Sequence, residues 1–322
     1  MSSAGRTTTA STRLVQTLLA STRRAGARGA RASNLVAFSG GVDSSVVAAL
    51  VFRAFPETAA AVLGVSPAVP RAQIELARAV AGRIGIPLRE IPTREGANPL
   101  YVANAGDACF HCKTELYETL EALGSHAAAE HGRVRQSDDD GRDEIEGDDD
   151  LAIRKGRRDG EDSFQQQQQR VVLFNGTNAD DMTDPTRVGL VAADNFSVES
   201  PLSGISKAQV REAARHLGLP NHAHAAAPCL RSRLAHGVLA TKDHLRAVEE
   251  AERLVREHLS LCVADNLRVR LLAGGRSALE VDANLVADAQ DAAEALAPVL
   301  RNAGFPKLIV RAFKSGSVNG LT

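Results

Sequence analysis

The chain has 322 residues, 44% hydrophobic and 24% charged, with a formal net charge of −1, enough for one large or two medium soluble domains. That balance argues against a broad nucleic-acid-binding surface, and 3% aromatic residues leave little for stacking on single strands. No apolar stretch approaches the roughly 18 residues that cross a bilayer, so no membrane partner is expected.

The first 34 residues carry six arginines and no acid. This composition fits an organelle transit peptide. It also fits a basic amphipathic helix, because "RLVQTLLASTRR" has helical apolar spacing. A cytoplasmic location is expected, with an organelle as the alternative.

Next come strand-like and helical runs in alternation. "LVAF" (35–38) reads as a strand that stops at a serine and two glycines, and a helix runs from Asp43 onward. "AAAVLGVS" reads as the second strand, "RAQIELARAVAGRIG" as a helix ending at Gly85, "IPLREIPT" as a third strand and "VVLFNGT" as a later one. This spacing predicts an α/β fold: a parallel, Rossmann-like sheet covered on both faces. Residues 133–170, with "SDDDGRDEIEGDDD" and "QQQQQ", cannot bury a core and read as a disordered insertion. From Ser206 the character changes. "SKAQVREAARHLG" is a helix with Ser206 as N-cap, and "TKDHLRAVEEAERLVREHL" is a long one. The strands "LRVRLLA" and "SALEVDA", a helix from about 287 to 301, and the strand "KLIVRAF" complete a smaller α+β unit. The expected organisation is a basic segment over 1–34, a first domain over 35–204 and a second over 205–322.

Three features carry chemistry. Ser39, Gly40, Gly41, Asp43, Ser44 and Ser45 have the parts of an anion cradle: glycines that let N–H groups approach a ligand, hydroxyl donors, and a helix N-terminus. A structural turn with a capping aspartate has the same composition. The spacing is not that of the G-x-x-x-x-G-K-[ST] loop.

Four cysteines are too few for a disulfide scaffold and point to a metal or a reactive thiol. Cys109 and Cys112 lie in "CFHCK", which also fits a zinc half-site or a buried pair. Cys229 in "APCLRSR" is a core thiol, or a thiolate favoured by Arg231 and Arg233. Cys262 reads as a core or surface thiol. The third feature is "RVR": Arg268 and Arg270 alternate to one face of a strand, which is otherwise a solvated face.

The turn closely resembles the SGGxDS loop of the N-type ATP pyrophosphatases (PP-loop enzymes). These bind the pyrophosphate portion of ATP, activate a substrate as its adenylate and release pyrophosphate. "VAFSGGVDSS", "NPLYVANAGDACFHCKTELY", "NGTNADDMTD", "SPLSGISKAQVREAARHLGLP" and "APCLRSR" together resemble the ATP-dependent sacrificial sulfur transferase (LarE) family, over about residues 35 to 285. The resemblance implies an adenine-nucleotide alpha-hydrolase-like fold. It implies conversion of a carboxylate on a pyridinium mononucleotide to a thiocarboxylate, in nickel-pincer nucleotide cofactor biosynthesis. ATP and Mg2+ would lie on Ser39 to Ser45, with Asn178 and Asp181 beside them. Lys113 would offset charge on the departing pyrophosphate. Ser232 and Glu252 fall on family active-site positions, and Arg268 and Arg270 on positions suited to the substrate's phosphate.

For the sulfur, the resemblance offers a 4Fe–4S cluster held by Cys109, Cys112 and Cys229, with one iron open for an extra sulfide, or a sacrificial Cys229. It also implies a homo-oligomer. Asn175 departs from the family, which often has aspartate there. The competing readings are a tRNA thiolase of the same superfamily, and a non-catalytic ATP- or iron–sulfur-binding protein.

Overall fold

The computed structural model describes residues 3–29, 31–137, 170–183 and 188–314. In chain order these form α1 (Ser3–Ala25), β1 (Ala32–Ala37), α2 (Val42–Ala54), β2 (Ala59–Val65), α3 (Arg71–Ile84), β3 (Leu88–Pro92), α4 (Pro99–Ala103), α5 (Ala108–Ser137) and β4 (Arg170–Phe174). There follow α6 (Ala179–Met182), α7 (Gly189–Asn195), α8 (Lys207–His216), α9 (Lys242–His258), β5 (Leu267–Leu271), β6 (Ser277–Val281), α10 (Val286–Ala295), α11 (Ala297–Asn302) and β7 (Leu308–Ala312).

The first four strands make one parallel sheet in the order β3-β2-β1-β4. β1 is central and buried from Ser33 to Ala37, the pattern of a strand covered on both faces. α2 is apolar almost all round, and every residue from Ser44 to Val51 is buried. On that side α2 packs with α1, α3 and α8, and Val15 and Leu18 of α1 join Val46, Leu50, Val80 and Val210 in one core. The other face is covered by α5 and α7 through Tyr117, Leu120 and Ala192. This is the expected parallel α/β sandwich.

Basic α1 is therefore a packed layer of the fold, fixed further by Ser11 Oγ donating to Glu212 Oε1 at 2.5 Å. Among the described residues no helix is long and apolar enough to cross a membrane. The insertion expected from residue 133 starts inside α5, which is helical to Ser137; residues 138–169 lie outside the described residues.

The second sheet has the order β5-β6-β7, with β5–β6 antiparallel and β6–β7 parallel. α9 and α10 cover it. The helix expected over 287–301 is two helices: Pro298 sits in the first turn of α11, where its missing N–H costs nothing but ends the α10 ladder. Ala68, Tyr101 and Ala108, from the first half of the chain, pack in the same core as Leu230, Leu234, Val248 and Leu279. α8 begins just after the boundary expected near residue 204, yet it packs in the core beneath the first sheet.

Candidate active site

The turn after β1 has the backbone a phosphate cradle needs. Gly40 takes φ +70°, and a Cβ there would lie 2.7 Å from Ala77 Cα, so no side chain fits. Gly41 is the N-cap of α2 and receives no side-chain cap hydrogen bond. Asp43 is therefore not the helix cap that the sequence allowed. Its Oδ1 accepts from Asn178 Nδ2 at 3.1 Å and its Oδ2 from Lys207 Nζ. Ser44 and Ser45 donate their hydroxyls to Gly41 O at 3.0 and 2.8 Å. Buried Asn221 donates to Gly40 O at 2.7 Å and to Ser45 Oγ at 2.9 Å.

A second turn, after β4, closes on the first. A Cβ on Gly176 would lie 2.6 Å from Ser44 N, so the two turns touch backbone to backbone. Asn175 braces this turn: its Oδ1 accepts from Thr177 N at 3.0 Å and from Ser200 Oγ at 2.7 Å. Asn178 caps α6 and forms a reciprocal capping box with Asp181.

These turns form one end of a cavity of about 420 Å³. Ser39, Gly41, Asp43, Ser44 and Asp181 face it, and so do Lys113, Cys109, Cys112 and Cys229. Gly40, Ser45 and Asn178 stand behind this wall as supports. The wall draws on β1–α2, β2–α3, the stretch after β3, the first half of α5, β4–α6, the start of α7, and Ala227 and Cys229 just before the 3-10 turn Leu230–Arg233.

The charge in this cavity is graded. Lys113 lies 5.7 Å from the Tyr117 ring centre. The Tyr117 phenol, and to a lesser degree the three thiols, raise the lysine above its usual range against the effect of burial. Lys113 thus shares the cavity with the two turns and the sulfurs. Burial pushes the Cys112 thiol up to about 12, with Cys229 and Glu95 adding to the rise. Burial also raises Cys109, opposed by Arg231, whose Nη2 stands 2.5 Å from Cys109 Sγ. Arg231 Nη1 reaches Asn104 Oδ1 at 3.0 Å, so one guanidinium ties α4, α5 and the Cys229 segment together.

The remaining expected residues lie behind Cys229, away from the cavity wall. Ser232 Oγ donates to Cys229 O at 2.7 Å. Glu252 accepts from Arg233 Nε at 2.8 Å and from Val269 N at 3.0 Å. Arg233 in turn donates to Pro228 O at 2.6 Å.

Arg268 and Arg270 do share one face of β5, and that face is buried: each is 5% exposed. Arg270 pairs with Glu280 at 2.7 Å, and Glu280 also receives Arg311 at 2.6 Å. Arg270 is thereby neutralised within the fold. Arg268 donates to Leu267 O and Ala226 O and lies 5.4 Å from the Phe313 ring centre. Burial, then the charge of Arg233, lowers it to about 10. Cys262 is exposed and far from this chemistry in sequence.

The expected 4Fe–4S cluster gains no support from this arrangement. Among the described residues no three His, Cys, Asp or Glu side chains group as ligands of a metal ion. Cys109 is engaged by Arg231. Sequence reasoning missed Ser66, Glu95 and Gln73 of the wall, and Asn221 behind it. No local motif marks them, because only the fold brings them to the cavity.

Residues 13–108 match the NAD synthase family model. The match begins inside α1, spans β1 to β3 with the turn after β1, and ends at Ala108, directly before Cys109. The chain is 33% identical over 224 residues to a protein of Synechocystis sp. printed as "Uncharacterized protein slr1717", covering 69% of this chain and 68% of that one. The matched segment, of the NAD synthase, PP-loop kind, thus holds the turn after β1, while the turn after β4 and all three cysteines of the cavity lie beyond it.

Proposed function

The chain belongs to one family with the Synechocystis protein slr1717, and from that premise we propose that it is an ATP-dependent sulfur transferase. It adenylates the carboxylate of a pyridinium mononucleotide, releases pyrophosphate and makes a thiocarboxylate. The observation that carries this reading is a single cavity holding a pyrophosphate turn, a lysine and three thiols.

The roles follow from position. ATP enters as its magnesium complex. The N-terminus of α2 and the Ser39–Ser45 turn receive its pyrophosphate portion, with Asp43 and Asp181 nearest the metal it brings. The substrate carboxylate attacks the α-phosphorus. Lys113 then meets the negative charge that develops on the leaving pyrophosphate. Cys229, with its carbonyl and flanks held by Ser232 and Arg233, attacks the acyl carbon as a thiolate and displaces AMP. Loss of the Cys229 α-proton with cleavage of its Cβ–Sγ bond leaves a thiocarboxylate and a dehydroalanine. The 4Fe–4S alternative is not carried further, because the thiol arrangement lends it no support. Arg268 and Arg270 are buried outside the cavity wall, so neither is given the substrate's phosphate here.

The NAD synthase match favours a second reading, nitrogen rather than sulfur insertion into the same adenylate. One experiment separates them. The protein is incubated with Mg-ATP and a carboxylated pyridinium mononucleotide, with and without ammonium. Pyrophosphate, the product mass and the intact protein mass are then measured. Thiocarboxylate with loss of one H2S from the protein at Cys229 supports sulfur transfer. An amide product formed only with ammonium, and an unchanged protein mass, would replace it with amidation. Absence of pyrophosphate release would reject both.

A further inference from the structure

Glu95 is 3% exposed, yet it lines the cavity. It begins the short 3-10 turn Glu95–Ala97 between β3 and α4. Ser66 donates its hydroxyl to Oε1 and is itself fixed by Ala68 N at 3.2 Å. The other oxygen, Oε2, is buried with no hydrogen-bond partner. A buried acceptor without a partner costs roughly 1–3 kcal/mol, and more when charged, so a fold does not retain one at random. Nearby, Tyr101 is 2% exposed and its hydroxyl is also without a partner. It lies within electrostatic reach of Cys229, Cys112 and Glu95. Glu95 thus lines the cavity together with the thiols, outside the two turns, and Tyr101 stands in the core behind it.

A carboxylate here is at odds with the chemistry on its face. The acceptor substrate brings its own carboxylate to these thiols, and two like charges in one cavity repel. The conflict vanishes if the substrate also carries a positive charge that settles on Oε2. We propose that Glu95 is a specificity-determining residue that selects acids whose carboxyl sits on a cationic heteroaromatic ring, and that rejects neutral rings of the same shape. This rests on the carboxylate-activating reading above and deepens it. Discrimination arises because a neutral ring leaves the buried carboxylate desolvated and unpaired.

The test uses the full-length protein with a non-hydrolysable ATP analogue. Two probes are titrated by calorimetry: nicotinic acid mononucleotide, and its neutral-ring benzoate C-riboside 5′-phosphate analogue. The wild type should prefer the cationic probe by roughly tenfold or more, a difference of about 1.4 kcal/mol. Glu95→Gln should bring the two affinities together while leaving the ATP-analogue Kd unchanged, which also reports that the variant is folded. Glu95→Asp, which keeps the charge, should restore part of the preference. A wild type that binds both probes alike, or a Glu95→Gln variant that keeps the preference, overturns the assignment and leaves carboxylate activation standing. A wild type that binds the ATP analogue and neither probe overturns the substrate reading and this inference with it.

Discussion

Gly40 and Gly176 are the residues on which the nucleotide end of the cavity turns. Each is packed against backbone, Gly40 on Ala77 Cα and Gly176 on Ser44 N, so neither site has a flexible side chain that can yield. Gly40→Ala adds a strained φ of +70° to the clash. We expect a stability loss of about 1–3 kcal/mol and an ATP-analogue affinity at least roughly tenfold weaker, read by urea unfolding and by calorimetry. The thiols give a pH signature. Burial raises Cys112 to about 12, and Cys109 moves in the same direction. Both lie above the unfolded value of about 8.5. The folded state then holds these protons longer than the unfolded one. Their stabilising contribution is complete below about pH 8.5 and declines as pH rises toward the folded value of about 12. The urea midpoint should therefore fall over that range, and Cys112→Ser should flatten the fall. A pH-independent midpoint from 8.5 upward, roughly, would contradict the burial of these thiols.

Among the elements, α1 has the most to test. Its apolar spacing suggested an amphipathic helix, and Val15 and Leu18 are 6% and 5% exposed in the main core. Leu18→Ala should cost about 2–4 kcal/mol by the cavity it leaves, measured by urea unfolding; a loss below about 0.5 kcal/mol is what a surface site gives. This helix shows how much the sequence disclosed. Its apolar spacing was legible, and whether the spacing faced a core was not, since that depends on α2 and α8. The same division runs through the chain. β1 to β3, α3 and α9 were legible because their periodicity and end signals are local. α4, α6 and α7 were not, being 5, 4 and 7 residues long, too short to show a period. The phosphate turn was legible because glycine and serine spacing is contiguous. The shared face of Arg268 and Arg270 was legible too. Its burial was not, because the partner Glu280 comes from β6, opposite Arg268 in the register. Glu95 and Asn221 escaped notice because nothing beside them in sequence marks an orphaned carboxylate or a hidden brace.

At the scale of the molecule, the site draws on both halves of the chain. Leu230, in the turn after Cys229, shares a core with Tyr101 and Ala108 at the start of α4 and α5. Leu230→Ala should therefore weaken nucleotide binding as well as stability, though Leu230 itself does not line the cavity; loss of stability alone would place it outside this coupling. A bound ATP analogue at 100 times its Kd should stabilise the protein by about 2.7 kcal/mol, visible as a raised Tm. The Asn178–Asp43 hydrogen bond joins residues 135 positions apart, across the β1–β4 pairing. Such a closure is among the last to form, since contacts distant in sequence are slow to assemble. We therefore expect the binding site to form after the folding transition state. The ligand's stabilisation should appear almost wholly as slower unfolding, with the refolding rate unmoved. In that sense a bound nucleotide would set the lifetime of the native protein and leave the time taken to reach it unchanged.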